Sequence, residues 1–472
     1  MKTSIIGRFE EQKRLLEIRD SDRPEFVAIY GRRRVGKTFL IRQIFQKSFA
    51  FDLAGLAKSN TVNQLINFNQ SLNRSFNASY HVPKHWFEAF DQLITALSRL
   101  NRTRKIVFID EISWLDAPKS DFLPALEHFW NGWACMRNDI VLIVCGSATS
   151  WIVNNIMNNH GGLHNRLTAN IHLRAFTLRE CEQYFQSVNI DLSRRQIAET
   201  YMVMGGIPYY LSLMQKGMSV NQNVDKIFFD DNALLKNEFE NLYASLFKHS
   251  DEYIAVVKAL SLKNKGLSRK EILEYLKKKS GNKITAILKD LEYCGFIRSY
   301  FSFNKKERGK IFQLIDSFTL FYFNFIEKYN FQDNHFWTNS VNLPQYNTWA
   351  GYAFEILSLQ HIAGIKKSLG ISGIRTNTCS WKSENSEPGC QIDLLIDRID
   401  GIINMVEIKF CNEIYCISKD YENNLQNKIA VFRFESKTKK AIHLVMLTTF
   451  GILQNKYSGI VQKEIRLDDL FA

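Results

Sequence analysis

Residues Gly31 to Thr38, Gly-Arg-Arg-Arg-Val-Gly-Lys-Thr, match the pattern G-x-x-x-x-G-K-[ST] at every required position. The apolar run Phe26-Val27-Ala28-Ile29-Tyr30 precedes them and a helical-looking stretch, Thr38 to Gln46, follows. A strand, a tight loop and a helix in that order constrain the fold to an α/β class with a parallel sheet, because the loop must sit at a strand's carboxyl end and feed a helix. Gly31 and Gly36 let the backbone curl so that the N–H groups of Arg32, Arg33, Arg34 and Val35 point inward. The helix N-terminus adds partial positive charge. Lys37 would reach the β- and γ-phosphates and the Thr38 hydroxyl would hold Mg²⁺. A chance glycine-rich turn needs no such setting, so the loop is read as a nucleotide-binding loop.

Two further apolar runs supply partners. Lys105-Ile106-Val107-Phe108-Ile109 reads as a buried parallel strand and ends in Asp110-Glu111 at its carboxyl edge. Asp110 would accept from the water shell of Mg²⁺, and Glu111 would polarise the attacking water. Ile140 to Ser147 reads as a third buried strand, ending in the polar Ser147. Ser147 stands where a γ-phosphate sensor would sit, but it could equally cap the next helix. Trp114, Leu115, Phe122, Leu126, Phe129, Trp130 and Trp133 are expected in the core.

From Ile6 to Leu211 the chain resembles AAA+-type ATPases of the archaeal kind, which also occur widely in bacteria. The matching residues are Ile6-Gly7-Arg8, the loop 31–38, Ile109-Asp110-Glu111, Gly146-Ser147-Ala148-Thr149-Ser150-Trp151, Gly161 to Arg166 and Gly205 to Leu211. The resemblance implies ATP as the nucleotide and gives Arg166 the role of a finger or switch arginine near the γ-phosphate. A surface ion pair is the alternative for Arg166. No arginine lies in Gly205-Gly206-Ile207-Pro208, where many such proteins carry a sensor arginine.

A formal net charge of +13 over 472 residues suggests an acidic partner, with nucleic acid first. The charge concentrates in residues 251–310, with 15 Lys and Arg against 7 Asp and Glu. There Ser268-Arg269-Lys270-Glu271 has capping-box spacing. Ile284, Ile287, Leu288 and Leu291 form a helical stripe, and Gly295 suits a helix C-terminus. The runs 296–303 and 310–315 read as a hairpin, and the whole reads as a winged helix. Lys283, Lys289, Lys305, Lys306 and Arg308 would face duplex phosphates. A protein-binding winged helix is the alternative. Eight scattered cysteines without a C-x-x-C pair speak against zinc. The early charges of the N-terminus and the lack of a membrane-length apolar run point to a cytoplasmic protein.

Past Trp349 the pattern changes. Glu355 sits among Phe354, Ile356 and Leu357 on an expected helix, where an acid needs a reason. Gln391 to Asp397 and Ile403 to Phe410 read as a hairpin, with Asp393 on its first strand and Glu407 and Lys409 sharing a face of its second. Two carboxylates converging with a lysine suit Mg²⁺, with Asp393 and Glu407 as ligands. Residues 349–449 resemble the PD-(D/E)XK nuclease superfamily, with Asp393, Glu407 and Lys409 in the motif positions and Glu355 as the upstream acid. An exposed Glu407–Lys409 ion pair is the plain alternative.

The expected organisation is an ATPase core (1–175), a helical lid (176–245), a winged helix (246–330) and an α/β restriction-endonuclease-like domain (345–472). The expected function couples ATP and Mg²⁺ to DNA binding and cleavage. A non-cutting, nucleotide-controlled switch that binds DNA or a protein partner stays open, as does assembly into a homo-oligomer.

Overall fold

A computed structural model describes residues 4–158, 161–278, 281–303, 309–329, 333–341, 343–383 and 390–472. It divides into two compact units, Met1–Ala175 and Phe176–Ala472.

The first unit is built on five strands: β1 (Glu25–Tyr30), β2 (Phe49–Ala54), β3 (Lys105–Asp110), β4 (Ile140–Gly146) and β5 (Ala169–His172). They lie in the order β2-β3-β4-β1-β5, and every pairing is parallel. This is the parallel sheet of P-loop ATPases, and the expected α/β class holds. Strands β3 and β4 are buried along their whole length, as unbroken apolar runs covered on both faces should be. The helices Trp86–Arg99 and Phe122–Gly132 pack Trp86, Phe90, Phe122 and Phe129 into one core cluster. Trp130 meets Phe26 of β1 with ring centroids 4.9 Å apart. The aromatic residues after Glu111 are core as expected, with Trp114 and Trp133 half-buried.

In the second unit, capping boxes open the helices Leu178–Ser187 and Arg194–Met204. A three-stranded antiparallel sheet follows, of β6 (Leu267–Ser268), β7 (Ile297–Phe301) and β8 (Lys310–Leu314) in the order β6-β8-β7. The helices Ser250–Ser261, Arg269–Tyr275 and Asn282–Tyr293 accompany it. The Ser268/Glu271 capping box forms as the spacing predicts. Gly295 turns the chain after the third helix with φ +76°. The expected basic hairpin tip, with Lys305, Lys306 and Arg308, lies outside the described residues. The run Phe318 to Phe325 is a buried helix, Ser317–Phe321 continuing through a wider turn over Tyr322–Ile326.

The chain ends in a second five-stranded sheet, ordered β13-β12-β11-β10-β9: β9 (Thr376–Lys382), β10 (Gln391–Arg398), β11 (Ile402–Lys409), β12 (Ala441–Thr448) and β13 (Lys463–Arg466). β9, β10 and β11 pair antiparallel, whereas β11, β12 and β13 pair parallel. The helix Lys419–Ser436 makes the crossover from β11 to β12 that a parallel pair requires. The helix Pro344–Gln360 carries Glu355. Among the described residues no helix is long and apolar enough to cross a membrane, and the eight cysteines are free thiols.

Candidate functional site

The strand order builds the first site. β4 lies between β1 and β3, so the residue leaving β4 stands between the loop after β1 and the acids after β3. That residue is Ser147. Gly31 has φ +144°, and a Cβ there would stand 2.2 Å from the Leu173 carbonyl oxygen. Glycine is therefore required for the loop to pass the chain leaving β5. Gly36, at φ +94°, turns the chain into the helix Lys37–Phe45. Arg8, buried and held at φ 56°, donates to the Val35 carbonyl at 3.4 Å and the Arg174 carbonyl at 2.6 Å. The segment Ile6-Gly7-Arg8 thus clasps the loop itself.

Inside this frame Lys37 Nζ donates to the carbonyls of Gly31 (2.8 Å) and Arg32 (2.9 Å) and to Ser147 Oγ (3.1 Å). Ser147 Oγ in turn donates to Glu111 Oε1 at 2.8 Å, and the Ser147 amide reaches Glu111 Oε2 at 3.2 Å. Ser147 is not the side-chain cap of the next helix, whose N-cap is Ala148. Its hydroxyl links the lysine to the acid. Glu111 sits at φ 47°, a left-handed backbone that a non-glycine residue adopts at a cost of about 1 kcal/mol, commonly at functional positions. Thr38 Oγ1 donates to Asp110 Oδ2 at 2.7 Å, and the Glu111 amide donates to Asp110 Oδ1 at 2.9 Å. Burial, with the charge of Glu111 adding to it, holds the Asp110 carboxyl above its ordinary range. A cation at Asp110 would reverse that shift. A hydroxyl and a carboxylate at contact distance are the hard oxygen donors that Mg²⁺ takes, and the curled loop presents amides to phosphate, so the residues fit both groups.

The structure thus brings together Lys37, Thr38, Asp110, Glu111 and Ser147. Arg166 is exposed in the loop before β5, and its side chain makes no hydrogen bond or ion pair among the described residues. Below the loop, His172 stacks on Tyr30 with centroids 4.9 Å apart. Burial, then the charges of Arg174 and Lys37, push its imidazole down to about 4.

The second cluster lies on the C-terminal sheet. Leu394 pairs with Val406, and continuing that register sets Asp393 opposite Glu407. Glu407 is 3% exposed. It accepts from Tyr421 Oη at 2.9 Å, from Lys428 Nζ at 2.9 and 3.1 Å and from Lys409 at 3.1 Å. Burial alone would raise its carboxyl, but Lys428 and Lys409 outweigh that and hold it below its usual range. Lys265, in the turn before β6, donates to Glu355 Oε2 at 3.1 Å and to Asp393 Oδ1. Burial, with Asp393's charge adding to it, raises Glu355 to about 7. Three carboxylates here face three ammonium groups. Among the described residues no three His, Cys, Asp or Glu side chains stand close enough to hold a metal ion. Of the expected residues, Glu355 and Asp393 share Lys265, and Glu407 holds Lys409 and Lys428, so each carboxylate is engaged by an ammonium group. The bland alternative, an exposed Glu407–Lys409 pair, does not hold, because Glu407 is buried.

Sequence reasoning missed Lys265 and Lys428. Lys428 left a trace, since it interrupts the helical stripe Tyr421, Leu425, Phe432 at i+7. Lys265 left none. In the basic segment Lys289 is exposed, whereas Lys283 is paired with Glu252 at 2.7 Å.

Residues 6–214 match the family model described as an ATPase domain predominantly from Archaea. Over these residues the chain is similar to that family, a similarity that implies nucleotide binding and hydrolysis, with Mg²⁺ as the typical companion. The chain is similar to an uncharacterized protein of Methanocaldococcus jannaschii, MJECL04, at 24% identity over 370 residues, covering 77% of this chain and 78% of that one. Among solved structures it is similar to the Walker-type ATPase PABY2304 of Pyrococcus abyssi, at 18% identity and TM-score 0.48, over 67% of this chain and 95% of the other. It is also similar to the ORC2 protein of Aeropyrum pernix in ADPNP and ADP complexes, at 14% identity and TM-score 0.42, over 77% and 98%.

Proposed function

We propose that this protein is an ATP-hydrolysing switch that couples nucleotide state to DNA engagement by a winged helix at 246–330, with a nuclease-like centre at 345–472. In this reading 1–175 is the ATPase core and 176–245 a helical lid. The observation that carries the ATPase half is the relay Lys37–Ser147–Glu111 beside the Thr38–Asp110 pair. Lys37 and the loop amides bind and orient the phosphates. Thr38 and Asp110 would hold Mg²⁺, which when bound withdraws charge from the β- and γ-phosphates. Glu111 accepts a proton from the attacking water once released from Ser147, and Ser147 turns its hydroxyl donation from Glu111 to the γ-phosphate. Arg166 is assigned the stabilising cation, from its position after the sensor strand.

DNA engagement is supported by the three-helix and three-strand pattern of the segment together with its basic excess. Lys289 and the basic residues of the hairpin tip are assigned to phosphates. The cleavage reading is supported by Asp393 and Glu407 facing each other at one end of the neighbouring strands β10 and β11, with Lys409 on Glu407 and Glu355 tied to Asp393 through Lys265. A non-cutting switch is the second reading, favoured by the lysines already seated on those carboxylates. Incubating full-length protein with plasmid, Mg²⁺ and ATP tests both. Nicking that disappears in Asp393→Ala supports the nuclease, while ATP-dependent retention of intact DNA supports the switch. Failure to bind DNA in any nucleotide state overturns DNA engagement in both readings and leaves the switch with a protein partner.

A further inference from the structure

Lys265 is the one lysine of the C-terminal cluster that comes from outside the C-terminal sheet and its crossover helix, which carry Lys409 and Lys428. It comes from the turn between the helix Ser250–Ser261 and β6, and its ammonium is shared by Glu355 and Asp393. The turn is held to the three-stranded sheet. Tyr300 of β7 donates its hydroxyl to the Lys265 carbonyl at 2.5 Å, and Gln313 of β8 donates to the Asn264 carbonyl at 2.8 Å. Gly266, at φ +82°, has no room for a Cβ, which would meet the Phe312 carbonyl oxygen at 2.2 Å, so the turn has a single tight path over β8. The lysine is therefore presented by one module and inserted into another.

The two acids it joins supply only hard oxygen donors, the chemistry of Mg²⁺ or Mn²⁺. A primary ammonium bridging two carboxylates puts one positive charge where a divalent ion would put two, and both cannot occupy the same oxygens. We propose that the cation position lies between Glu355 and Asp393 and that Lys265 occupies it as an internal, competing cation. The site is then closed at rest, and a divalent ion enters only when the turn of the basic module withdraws. This rests on the nuclease-like reading above and adds its control.

The test is Mn²⁺ binding to the full-length, nucleotide-free protein, followed by electron paramagnetic resonance. Lys265→Gln is expected to tighten binding at least tenfold over wild type, Lys265→Arg to stay near wild type, and Lys265→Gln with Asp393→Asn to lose the gain. In wild type, saturating Mn²⁺ is expected to increase acylation of the Lys265 amine by a water-soluble ester, and Asp393→Asn is expected to abolish that dependence on metal. Equal affinity of wild type and Lys265→Gln, both weakened by Asp393→Asn, overturns the competing lysine but leaves the metal site standing. Affinity unchanged by any of these substitutions removes the metal site, and the nuclease-like reading with it.

Discussion

Lys37 and Lys265 are both tucked among acids, yet they spend their hydrogen bonds differently. Lys37 is turned onto two backbone carbonyls and a hydroxyl, all neutral acceptors. A phosphate oxygen offers it a charge-assisted bond in exchange, and such bonds are roughly twice as strong. Lys265 already bonds two carboxylates, so no anion improves on its position. The same side chain makes one site ready to receive a ligand and the other closed to it. Carboxylate placement decides which. In the first unit Ser147 stands between Lys37 and Glu111, whereas in the second unit the acids touch the lysine directly.

The substitution expected to break the comparison most severely is Lys37→Ala. It removes the only side-chain cation that the loop motif aims at the β- and γ-phosphates, and nucleotide affinity should fall about a hundredfold or more, read by titration with a fluorescent ATP analogue. Affinity within a few-fold of wild type would refute the assignment. Ser147→Ala is next. It frees Glu111 and deprives Lys37 of an acceptor, so kcat should drop about tenfold to a hundredfold while nucleotide affinity changes little. A change in affinity alone would mean that Ser147 binds but does not relay.

Both residues are legible in the sequence, for a physical reason. A phosphate loop and the strand ends that serve it are bound to local chain geometry, and Gly31, Lys37, Asp110, Glu111 and Ser147 announce themselves by what precedes them. The Ser268 capping box and the Gly295 turn were legible for the same reason. Glu355, Asp393, Glu407 and Lys409 could be placed on a helix and a hairpin, because period and register are local properties. The electrostatic state of that cluster was not readable. It depends on Lys265, 128 residues before Asp393, and on Lys428, one helix away. No periodicity encodes a contact across that separation. The role of Ser147 was left between sensor and cap for a related reason, since a hydroxyl after a strand suits either until its partner is seen.

Lys428→Met sharpens the comparison from the other side. It keeps the stem that packs near Leu425 and Phe432 but removes the ammonium that meets both Glu407 oxygens. Lys409 and Tyr421 remain, so the cost should be part of that of stranding a buried carboxylate, about 1–3 kcal/mol. Calorimetry should show the loss in the transition of the second unit. The transition that an ATP analogue shifts upward, that of the first unit, should not move. Equal losses in both would show that the units do not unfold independently.

An effect of similar size, spread over about two pH units, is expected from His172 in the first unit. His172 is held near 4 in the fold, chiefly by burial and then by Arg174 and Lys37, against 6.5 unperturbed. The unfolded chain therefore binds more protons than the folded one between those values. Stability from this group is complete above pH 6.5 and declines as pH falls toward 4, by about 2 kcal/mol for a half-buried ring. His172→Phe keeps an aromatic partner for Tyr30 and cannot titrate. Its nucleotide-shifted transition should fall less steeply than wild type over that interval, while the second transition keeps the same pH profile in both proteins. A parallel decline in wild type and variant would mean that another group, such as a carboxylate near the loop, carries the acid sensitivity.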